Sequence, residues 1–308
     1  MRIVTRPDFD GIVCAVLLRM AENIDTDILW VEPNEIQKGQ AEIFDNDIMA
    51  NLPYSPECGM WFDHHISNKP NKDFTGVFEI APSAAGVIYK YYKNQNRLDD
   101  KYDELVLNTD IIDAADLNID QVRYPENYPY ILLSMTIQNH EYKDIDYWNR
   151  LVDLLMKKNI DHVIADPEVK KRCYKVIKEN TAFEKHLLTH TKVINKISIT
   201  DFRPLDTIPE GNRFLTYSLF PEAIASIKLR FDGPEHKNIL LSIGHNIFQK
   251  ACNVNIGNLL AKYGGGGHAG AGGCTLNAQT ADKILENIFE IMFQNNLHAA
   301  DHVDQCTT

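Results

Sequence analysis

The sequence lacks an apolar run of about 18 residues, the length that a membrane-spanning helix requires, so no membrane partner is expected. Its six cysteines are scattered and none forms a Cys-x-x-Cys pair, which leaves a zinc finger unsupported and favours reduced thiols. The sequence goes straight into a strand-like pattern at residues 1–5, so no secretory signal is expected. These absences together predict a cytoplasmic protein.

Basic residues are also scarce. Lys and Arg number 31 against 43 Asp and Glu, which gives a net charge of −12. A duplex nucleic acid normally binds a basic face, because neutralisation of its phosphates drives the association. The composition therefore argues against a duplex partner. It leaves room for a mononucleotide or a short oligonucleotide in a local pocket where metal ions supply positive charge.

The length of 308 residues is too great for one ordinary core and indicates two domains. Over the first ~120 residues short apolar strands alternate with helical stretches, which is typical of a parallel sheet with crossover helices. These strands are predicted at residues 3–5, 28–31, 48–50, 60–62 and 77–80. The following pattern is mostly helical and ends in a charged helix over 167–192. Strands then return at residues 197–200, 213–218, 225–231 and 239–243, which completes an α/β fold.

Two carboxylates, Asp8 and Asp10, flank Phe9 just after the first predicted strand and precede Gly11. Functional loops of α/β sheets lie at the carboxyl ends of strands, and carboxylates at i and i+2 can reach neighbouring cations there. Gly11 allows the backbone to turn sharply into the next helix. Taken alone, this pattern is explained better by a solvated turn with a helix-capping aspartate.

The triplet Asp63-His64-His65 follows the apolar residues 60–62. It is expected at the same sheet edge as Asp8 and Asp10. Carboxylate and imidazole together suit Mn²⁺ better than Ca²⁺. Adjacent histidines after a buried strand favour a functional site over a polar strand end.

Three further acids, Asp110, Asp113 and Asp116, recur every third residue and so share a helix face. Their like charges repel, and a bound cation would relieve that repulsion. From the spacing alone, an exposed acidic face explains them equally well.

The segment 264–273 contains seven glycines in ten residues and one histidine, His268. Such a segment exposes backbone N–H groups to an anion, and His268 could donate to a phosphate oxygen. A flexible linker is disfavoured because ordered patterns continue on both sides. The segment is not a Walker loop, since no Gly-Lys-Ser/Thr follows. It is therefore interpreted as a phosphate-binding loop.

Taken together, these motifs resemble the DHH-type phosphoesterases with a C-terminal DHHA1 domain, over nearly the whole chain. Asp8-Phe9-Asp10-Gly11 is similar to the first motif, Asp63-His64-His65 to the third, and Asp113 to the fourth. The segment 265–273 is similar to the Gly-Gly-Gly-His loop of the second domain. The family includes oligoribonucleases, pAp phosphatases, exopolyphosphatases and single-strand exonucleases. The exopolyphosphatase-like and nanoRNase–pAp phosphatase-like members are the most similar.

The resemblance implies an N-terminal parallel-sheet DHH domain with flanking helices, plus a smaller C-terminal α/β DHHA1 domain. The predicted catalytic, metal-binding domain covers residues 1–165. A helical linker covers 166–194, the substrate-binding DHHA1 domain covers 195–297, and a tail covers 298–308.

The resemblance also implies roles for individual residues. One or two Mn²⁺ or Mg²⁺ ions would be held by Asp8, Asp10, His64 and Asp113. His65 would act in catalysis, on a phosphate oxygen or the leaving group, with Asp63 supporting it. The substrate would be bound by Gly265, Gly266, Gly267 and His268.

The sequence departs from the family pattern at several positions. Asn51 stands where a bridging Asp is usual and is a candidate metal or supporting residue. The family usually carries a His or Asp metal ligand just before the acids of the first motif, and residues 4–6 of this sequence contain neither. The arginine–serine pair that often contacts the substrate phosphate in this family is not evident. Arg230 and His245 are candidates for that role.

The predicted function is metal-dependent hydrolysis of a small phosphorylated substrate: a short single-stranded oligonucleotide, a pAp-like nucleotide or polyphosphate. The enzyme class is a phosphoric ester or phosphoanhydride hydrolase. The alternative is a catalytically impaired nucleotide-binding paralogue, which Asn51 and the missing upstream ligand motivate. A homodimer is left open.

Overall fold

The computed structural model describes residues 1–137 and 144–296. The predicted tail at 298–308 and residue 297 lie outside the described residues. Two compact units are present. The first comprises Met1–Leu117 and Tyr124–Val176, and the second comprises Asn118–Arg123 and the chain from Ile177 onward. The division falls within one long helix, Pro167–His190.

The first unit contains a five-stranded sheet in which every strand pair is parallel. Its strands are β1 Arg2–Thr5, β2 Leu29–Trp30, β3 Asp47–Ala50, β4 Met60–Asp63 and β5 Gly76–Phe78. They lie in the order β2-β1-β3-β4-β5. Since β1, β3 and β4 are consecutive parallel neighbours, their carboxyl ends share one edge of the sheet. The predicted α/β class is confirmed.

Helices fill the connections of this unit and lead to the second. They are α1 Phe9–Glu22, α2 Pro33–Gln37, α3 Ala84–Lys93, α4 Asp103–Asp113, α5 Ile119–Arg123, α6 Pro129–Met135, α7 Ile145–Lys157, α8 Ile160–Ile164 and α9 Pro167–His190. Of these, α5 belongs to the second unit. Single 3₁₀ turns occupy Ile66–Asn68, Asp100–Tyr102 and Pro125–Asn127. Within the described ranges, no helix has both the length and the apolar character needed to cross a bilayer.

Helix α1 is buried on nearly every side. Residues 12–18 are fully inaccessible to solvent, and the helix packs against β1, α3, α4 and α7. A helix that is apolar all round is stable only when it is enclosed in this way. Its burial fixes the position of its first turn, which carries Asp10.

The strand β4 is anchored by Trp61, which is fully buried. The indole N–H donates to the carbonyl oxygen of Leu52 at 2.8 Å. The indole ring also packs against Tyr54, Phe74 and Phe78, at centroid separations of 5.0 to 5.9 Å. A large ring buried with its polar atom bonded fixes the register of the strand. Asp63, the last residue of β4, is placed accordingly.

The second unit contains a six-stranded mixed sheet. Its strands are β6 Thr191–Ile194, β7 Ile197–Asp201, β8 Ala225–Phe231, β9 Asn238–His245, β10 Gly266–His268 and β11 Ala271–Asn277. They lie in the order β10-β11-β9-β8-β7-β6, and only β7 and β8 pair in parallel. The remaining helices are α10 Leu215–Leu219, α11 Ile256–Ala261 and α12 Ala281–Gln294. Apolar residues of β8, β9 and β11 pack with those of α11 and α12 in one core.

One secondary-structure prediction for this unit was wrong. The segment 213–218 was predicted as a strand, but it contains the start of α10, and residues 215–218 are all buried. A short apolar run buried on both sides carries no periodicity that separates strand from helix. The helix predicted over 167–192 is present as α9 and ends two residues earlier, at His190, because Thr191 begins β6 and pairs with Thr200. Asn195 and Lys196 both have positive φ and form the two-residue turn that joins β6 to β7.

Candidate metal centre

Polar residues follow β1, β3 and β4 at the edge where these three strands end. Asp8 lies three residues beyond β1, Asn51 directly follows β3, and Asp63 is the last residue of β4. Parallel neighbours bring these positions together although they are distant in sequence. This edge is the usual location of ligand sites in α/β sheets.

The turn between β1 and α1 places both acids of the first motif. Asp8 is the N-cap of α1, and its Oδ1 accepts the N–H of Gly11 at 2.8 Å. A Cβ at Gly11 would lie 1.9 Å from the carbonyl oxygen of Arg6. Only glycine therefore fits this turn, and the turn directs Asp10 into the protein.

Asp10 is 2% exposed and is held by the start of α3. Its carboxylate accepts the backbone N–H groups of Ala84 at 3.0 Å and Ala85 at 2.8 Å. Burial, reinforced by the charge of Asp8, raises the pKa of Asp10 to about 7, while the two backbone hydrogen bonds oppose that rise. A buried carboxylate of this kind is stabilised in its charged form by a cation.

His64 presents a free nitrogen to this carboxylate. Its Nδ1 lies 2.9 Å from the carbonyl oxygen of Ala81, so Nδ1 carries the proton and Nε2 has the lone pair. Nε2 lies 3.3 Å from Asp113 Oδ2 and 4.0 Å from Asp10 Oδ2. The side chain is 9% exposed, and Nε2 has no hydrogen-bond partner in the described part of the chain. An orphaned, buried imidazole nitrogen facing two carboxylates fits a divalent cation.

Asp113 completes this group at the last residue of α4. Single ligand atoms of Asp10, His64 and Asp113 all lie within 4.8 Å of one another. Burial, together with the charges of Asp10 and Asp8, raises the pKa of Asp113 to about 8. The other two acids of the predicted face lie outside the group: Asp110 accepts a hydrogen bond from Ser83, and Asp116 is exposed beyond the end of the helix.

Asp63 and His65 form a second, adjoining pair. Asp63 is fully buried and accepts the backbone N–H of His64, the Nδ1–H of His65 and the side-chain amide of Asn68, at 2.7 to 2.9 Å. The hydrogen bond that His65 donates to Asp63 raises the pKa of His65. The His65 side chain is 35% exposed, so it can reach a substrate while Asp63 orients it.

Asn51 is buried and adopts a left-handed conformation with φ of 57°, which asparagine tolerates better than most residues. Its Nδ2 donates to Asp8 Oδ1 at 3.0 Å. Its Oδ1 has no partner among the described residues. The structure therefore places Asn51 beside Asp8, where its amide supports that carboxylate.

The metal-free protein is expected to lose stability as the pH rises from about 4 to about 8. The pKa values of Asp10 and Asp113 are raised to about 7 and about 8, from an ordinary value of about 3.9. The folded state therefore binds more protons than the unfolded state across this window, and its stability falls with rising pH. The pKa of His65 is also raised. Its stabilising imidazolium therefore loses its proton as the pH rises, and the stability of the folded state falls further.

Thermal melts of chelator-treated protein across this pH range measure the effect. Mn²⁺ should raise Tm most at the alkaline end, where it competes least with protons. Asp10→Asn should flatten the pH dependence of Tm. Equal slopes of Tm against pH for the variant and the wild type would show that the pH dependence does not arise from this cluster.

The glycine-rich segment forms a β-hairpin at the edge of the second sheet and is not an open loop. Residues 266–268 pair with 271–273. Several of its glycines permit close packing: a Cβ at Gly265 would lie 2.3 Å from Cys274 Cβ, and one at Gly267 would lie 2.3 Å from the carbonyl oxygen of Ala271. By contrast, a Cβ at Gly266 would meet nothing, and His268 is exposed. The turn of the hairpin is formed by residues 269 and 270, so His268 lies beside the turn and Gly266 lies at the opposite end of the paired segment.

Arg230 and His245 lie on neighbouring strands of the same unit. Arg230 is on the face of β8 opposite the apolar residues 225, 227 and 229. His245 Nε2 lies 2.9 Å from the carbonyl oxygen of Val254, so this nitrogen donates to the backbone. Lys228 shares the face of Arg230, and burial lowers its pKa, with Arg230 and Arg213 contributing. No acidic residue in the described ranges forms an ion pair with Lys228 or Arg230.

Sequence reasoning missed Arg6, the carbonyl of Ala81, Asn68 and Lys228. The Ala81 carbonyl is a backbone atom and leaves no side-chain signal. Arg6 and Lys228 could have been noticed as cations inside otherwise apolar strand patterns or directly beside acidic motifs.

The chain matches no protein-family model and no curated protein sequence. Its structure is similar to that of PggH, a pGpG-specific phosphodiesterase from Vibrio cholerae. The TM-score is 0.84 with 33% identity, covering 96% of this chain and 99% of that one. RecJ from Thermus thermophilus, in complex with Mn²⁺, has a TM-score of 0.54 and 15% identity, covering 98% of this chain and 52% of that one. An exopolyphosphatase-related protein from Bacteroides fragilis has a TM-score of 0.50 and 14% identity, covering 98% and 94%.

The last two similarities concern the fold alone. The similarity to PggH extends over nearly the full length of both chains at one identical residue in three. These solved structures are DHH-family phosphoesterases. The resemblance stated from the motifs is confirmed, and so is the predicted class of phosphoester hydrolase. The chain belongs to the DHH family of phosphoesterases.

Proposed function

We propose that this protein is a divalent-metal-dependent phosphodiesterase that hydrolyses a short, linear phosphorylated nucleotide. The observation that carries the proposal is the buried, unpartnered Nε2 of His64 facing the carboxylates of Asp10 and Asp113. The pGpG-specific activity named for PggH makes a linear dinucleotide the first substrate to examine. pAp-like nucleotides, short RNA and polyphosphate are the other candidates.

Asp10, His64 and Asp113 would hold Mn²⁺ or Mg²⁺. When bound, such an ion supplies Lewis acidity, which lowers the pKa of water and neutralises phosphate charge. The protein prepares these ligands: Ala81 fixes the tautomer of His64, and the start of α3 holds Asp10. Preorganised ligands of this kind need no rearrangement during the reaction.

His65 would act on the substrate itself. Asp63 accepts the Nδ1–H, which orients the ring and raises the pKa of the imidazole. Nε2 can then donate a proton to the leaving oxygen or a hydrogen bond to a phosphate oxygen. Asp63 accepts four hydrogen bonds, from the backbone N–H groups of His64 and His65, the Nδ1–H of His65 and the amide of Asn68. We therefore assign it to positioning His65.

In the second unit we propose that the glycine-rich hairpin and the basic face of β8 bind anionic groups of the substrate. Gly266, Gly267 and His268 would contribute backbone N–H groups and an imidazole, whereas Gly265, whose N–H donates to the carbonyl oxygen of Leu260 at 3.0 Å, would allow the close packing of this segment. Arg230, with Lys228 beside it, would contribute positive charge that no acidic residue in the described ranges offsets. His245 would support the hairpin through the backbone. On this view residues 1–165 carry the chemistry and 195–297 bind substrate, with 166–194 between them.

The proposal is tested with the full-length chain, Mn²⁺ and a panel of pGpG, pAp, dinucleotides, short RNA and polyphosphate. We expect release of nucleoside monophosphate from the linear dinucleotides. His64→Gln should abolish the release, because the ring nitrogen is lost. Asp116→Asn, an exposed neighbour beyond α4, should keep full activity. Product formation on no member of the panel above the level of His64→Gln would remove the proposal.

The alternative is a nucleotide-binding paralogue without turnover. Asn51, a neutral amide beside Asp8, is the observation that favours it. In that case pGpG would raise Tm without being hydrolysed, and Asn51→Asp would produce activity. Hydrolysis by the wild-type chain would exclude this alternative.

A further inference from the structure

Asp8 has the hydrogen bonds of a structural cap. Its Oδ1 accepts the N–H of Gly11 at 2.8 Å and the side-chain amide of Asn51 at 3.0 Å. Its Oδ2 lies 3.3 Å from Nε of Arg6. Both carboxylate oxygens therefore face donors that belong to the chain. Asp8 is also absent from the compact ligand group of Asp10, His64 and Asp113.

Arg6 places a permanent positive charge on this side of the centre. Its Nε lies between Asp8 Oδ2 and Glu32 Oε2, at 3.3 and 3.5 Å. A guanidinium stays protonated at any physiological pH. A divalent ion bound to the same oxygen of Asp8 would lie close to this charge and be repelled by it.

Asn51 adds to this effect through the orientation of its amide. The nitrogen end faces Asp8, and the reverse orientation would set the amide oxygen against a carboxylate oxygen. An NH₂ group has no lone pair for a metal. The groups that face Asp8 are thus donors, whereas a second cation bound to Asp8 would require acceptors; the unpartnered acceptor Oδ1 of Asn51 is not the atom that faces Asp8.

Building on the metal centre of the proposed function, we propose that the Arg6 guanidinium takes the place of a second metal ion beside Asp8. The protein then binds a single divalent cation, through Asp10, His64 and Asp113. Arg6 is 40% exposed, so the same charge can also meet a phosphate oxygen of the substrate. Arginine is well suited to that contact.

Metal stoichiometry tests this directly and does not depend on activity. Chelator-treated full-length protein is titrated with Mn²⁺, and the free ion is followed by electron paramagnetic resonance. We expect one Mn²⁺ per chain for the wild type. Asp8→Asn, which keeps a good helix cap, should also bind one. His64→Gln should bind none.

A gain-of-function variant completes the test. Arg6→His combined with Asn51→Asp removes the guanidinium and supplies two ligands, and it should take up a second Mn²⁺. Folding of each variant is checked by its Tm.

Four results would overturn the inference. Two ions in the wild type would show that Arg6 does not replace one. Loss of the ion in folded Asp8→Asn would make Asp8 a ligand. No second ion in the folded double variant would show that Arg6 and Asn51 are not what excludes it. No ion in the wild type would remove the metal centre as well. One ion without hydrolysis would instead contradict the proposed function alone.

Discussion

Replacing Asp10 by asparagine is expected to abolish Mn²⁺ binding and to lower kcat/KM by at least about 10³-fold. Asp10 is fully enclosed and holds one side of the ligand group that faces His64 Nε2. An amide removes the negative charge that a divalent ion needs at this position. Removing a single electrostatic stabiliser typically costs about 10²- to 10³-fold, and here an entire cation is lost.

The measurement pairs steady-state kinetics on pGpG with calorimetric titration of Mn²⁺. Asp10 also accepts two backbone N–H groups from α3, so a folding defect in the variant is checked by Tm. His64→Gln provides an independent removal of a ligand that leaves those bonds in place. Asp116→Asn is the matched control for a lost carboxylate. If Asp10→Asn kept Mn²⁺ binding and more than a tenth of the activity, Asp10 would not be the metal ligand proposed here.

Much of this centre was predictable because parallel strands align their carboxyl ends. Asp8, Asn51 and Asp63, at the carboxyl ends of β1, β3 and β4, must lie at one edge once these strands are neighbours. The chemistry of the triplet at 63–65 then indicates a metal site. Asp113 followed from the family resemblance, since its spacing alone allowed an exposed acidic face equally well.

The details that decide reactivity come from partners distant in sequence. The tautomer of His64 depends on a carbonyl 17 residues away, and Asp10 depends on N–H groups 74 and 75 residues away. These partners are backbone atoms, which any residue type could supply. No pattern of side chains could therefore reveal them. The same reason hides the hairpin in the glycine-rich segment, where backbone pairing, not side-chain periodicity, forms the strands.

Gly11→Ala is expected to destabilise the protein by about 3–5 kcal/mol, at the upper end for a single substitution. The new Cβ would lie 1.9 Å from the carbonyl oxygen of Arg6 and 2.9 Å from Thr5 Oγ1. The nearer atom is backbone, so no side chain can rotate away to relieve the contact. Either the N-terminal turn of α1 or the end of β1 must move. For a unit of this size, we expect Tm to fall by about 10 °C or more.

Gly270→Ala is the control, because its Cβ would make only an ordinary contact of 3.7 Å with His245; its Tm should change little. Gly11 directly follows Asp10, and its N–H donates to the acid that caps α1, so the movement that relieves the clash also displaces Asp10. Mn²⁺ should consequently stabilise Gly11→Ala less than it stabilises the wild type. A variant with the Tm of the wild type and the full stabilisation by Mn²⁺ would show that this turn accommodates a Cβ without displacing Asp10. The geometry of the candidate metal centre would then have to be fixed by α3 and β4 alone.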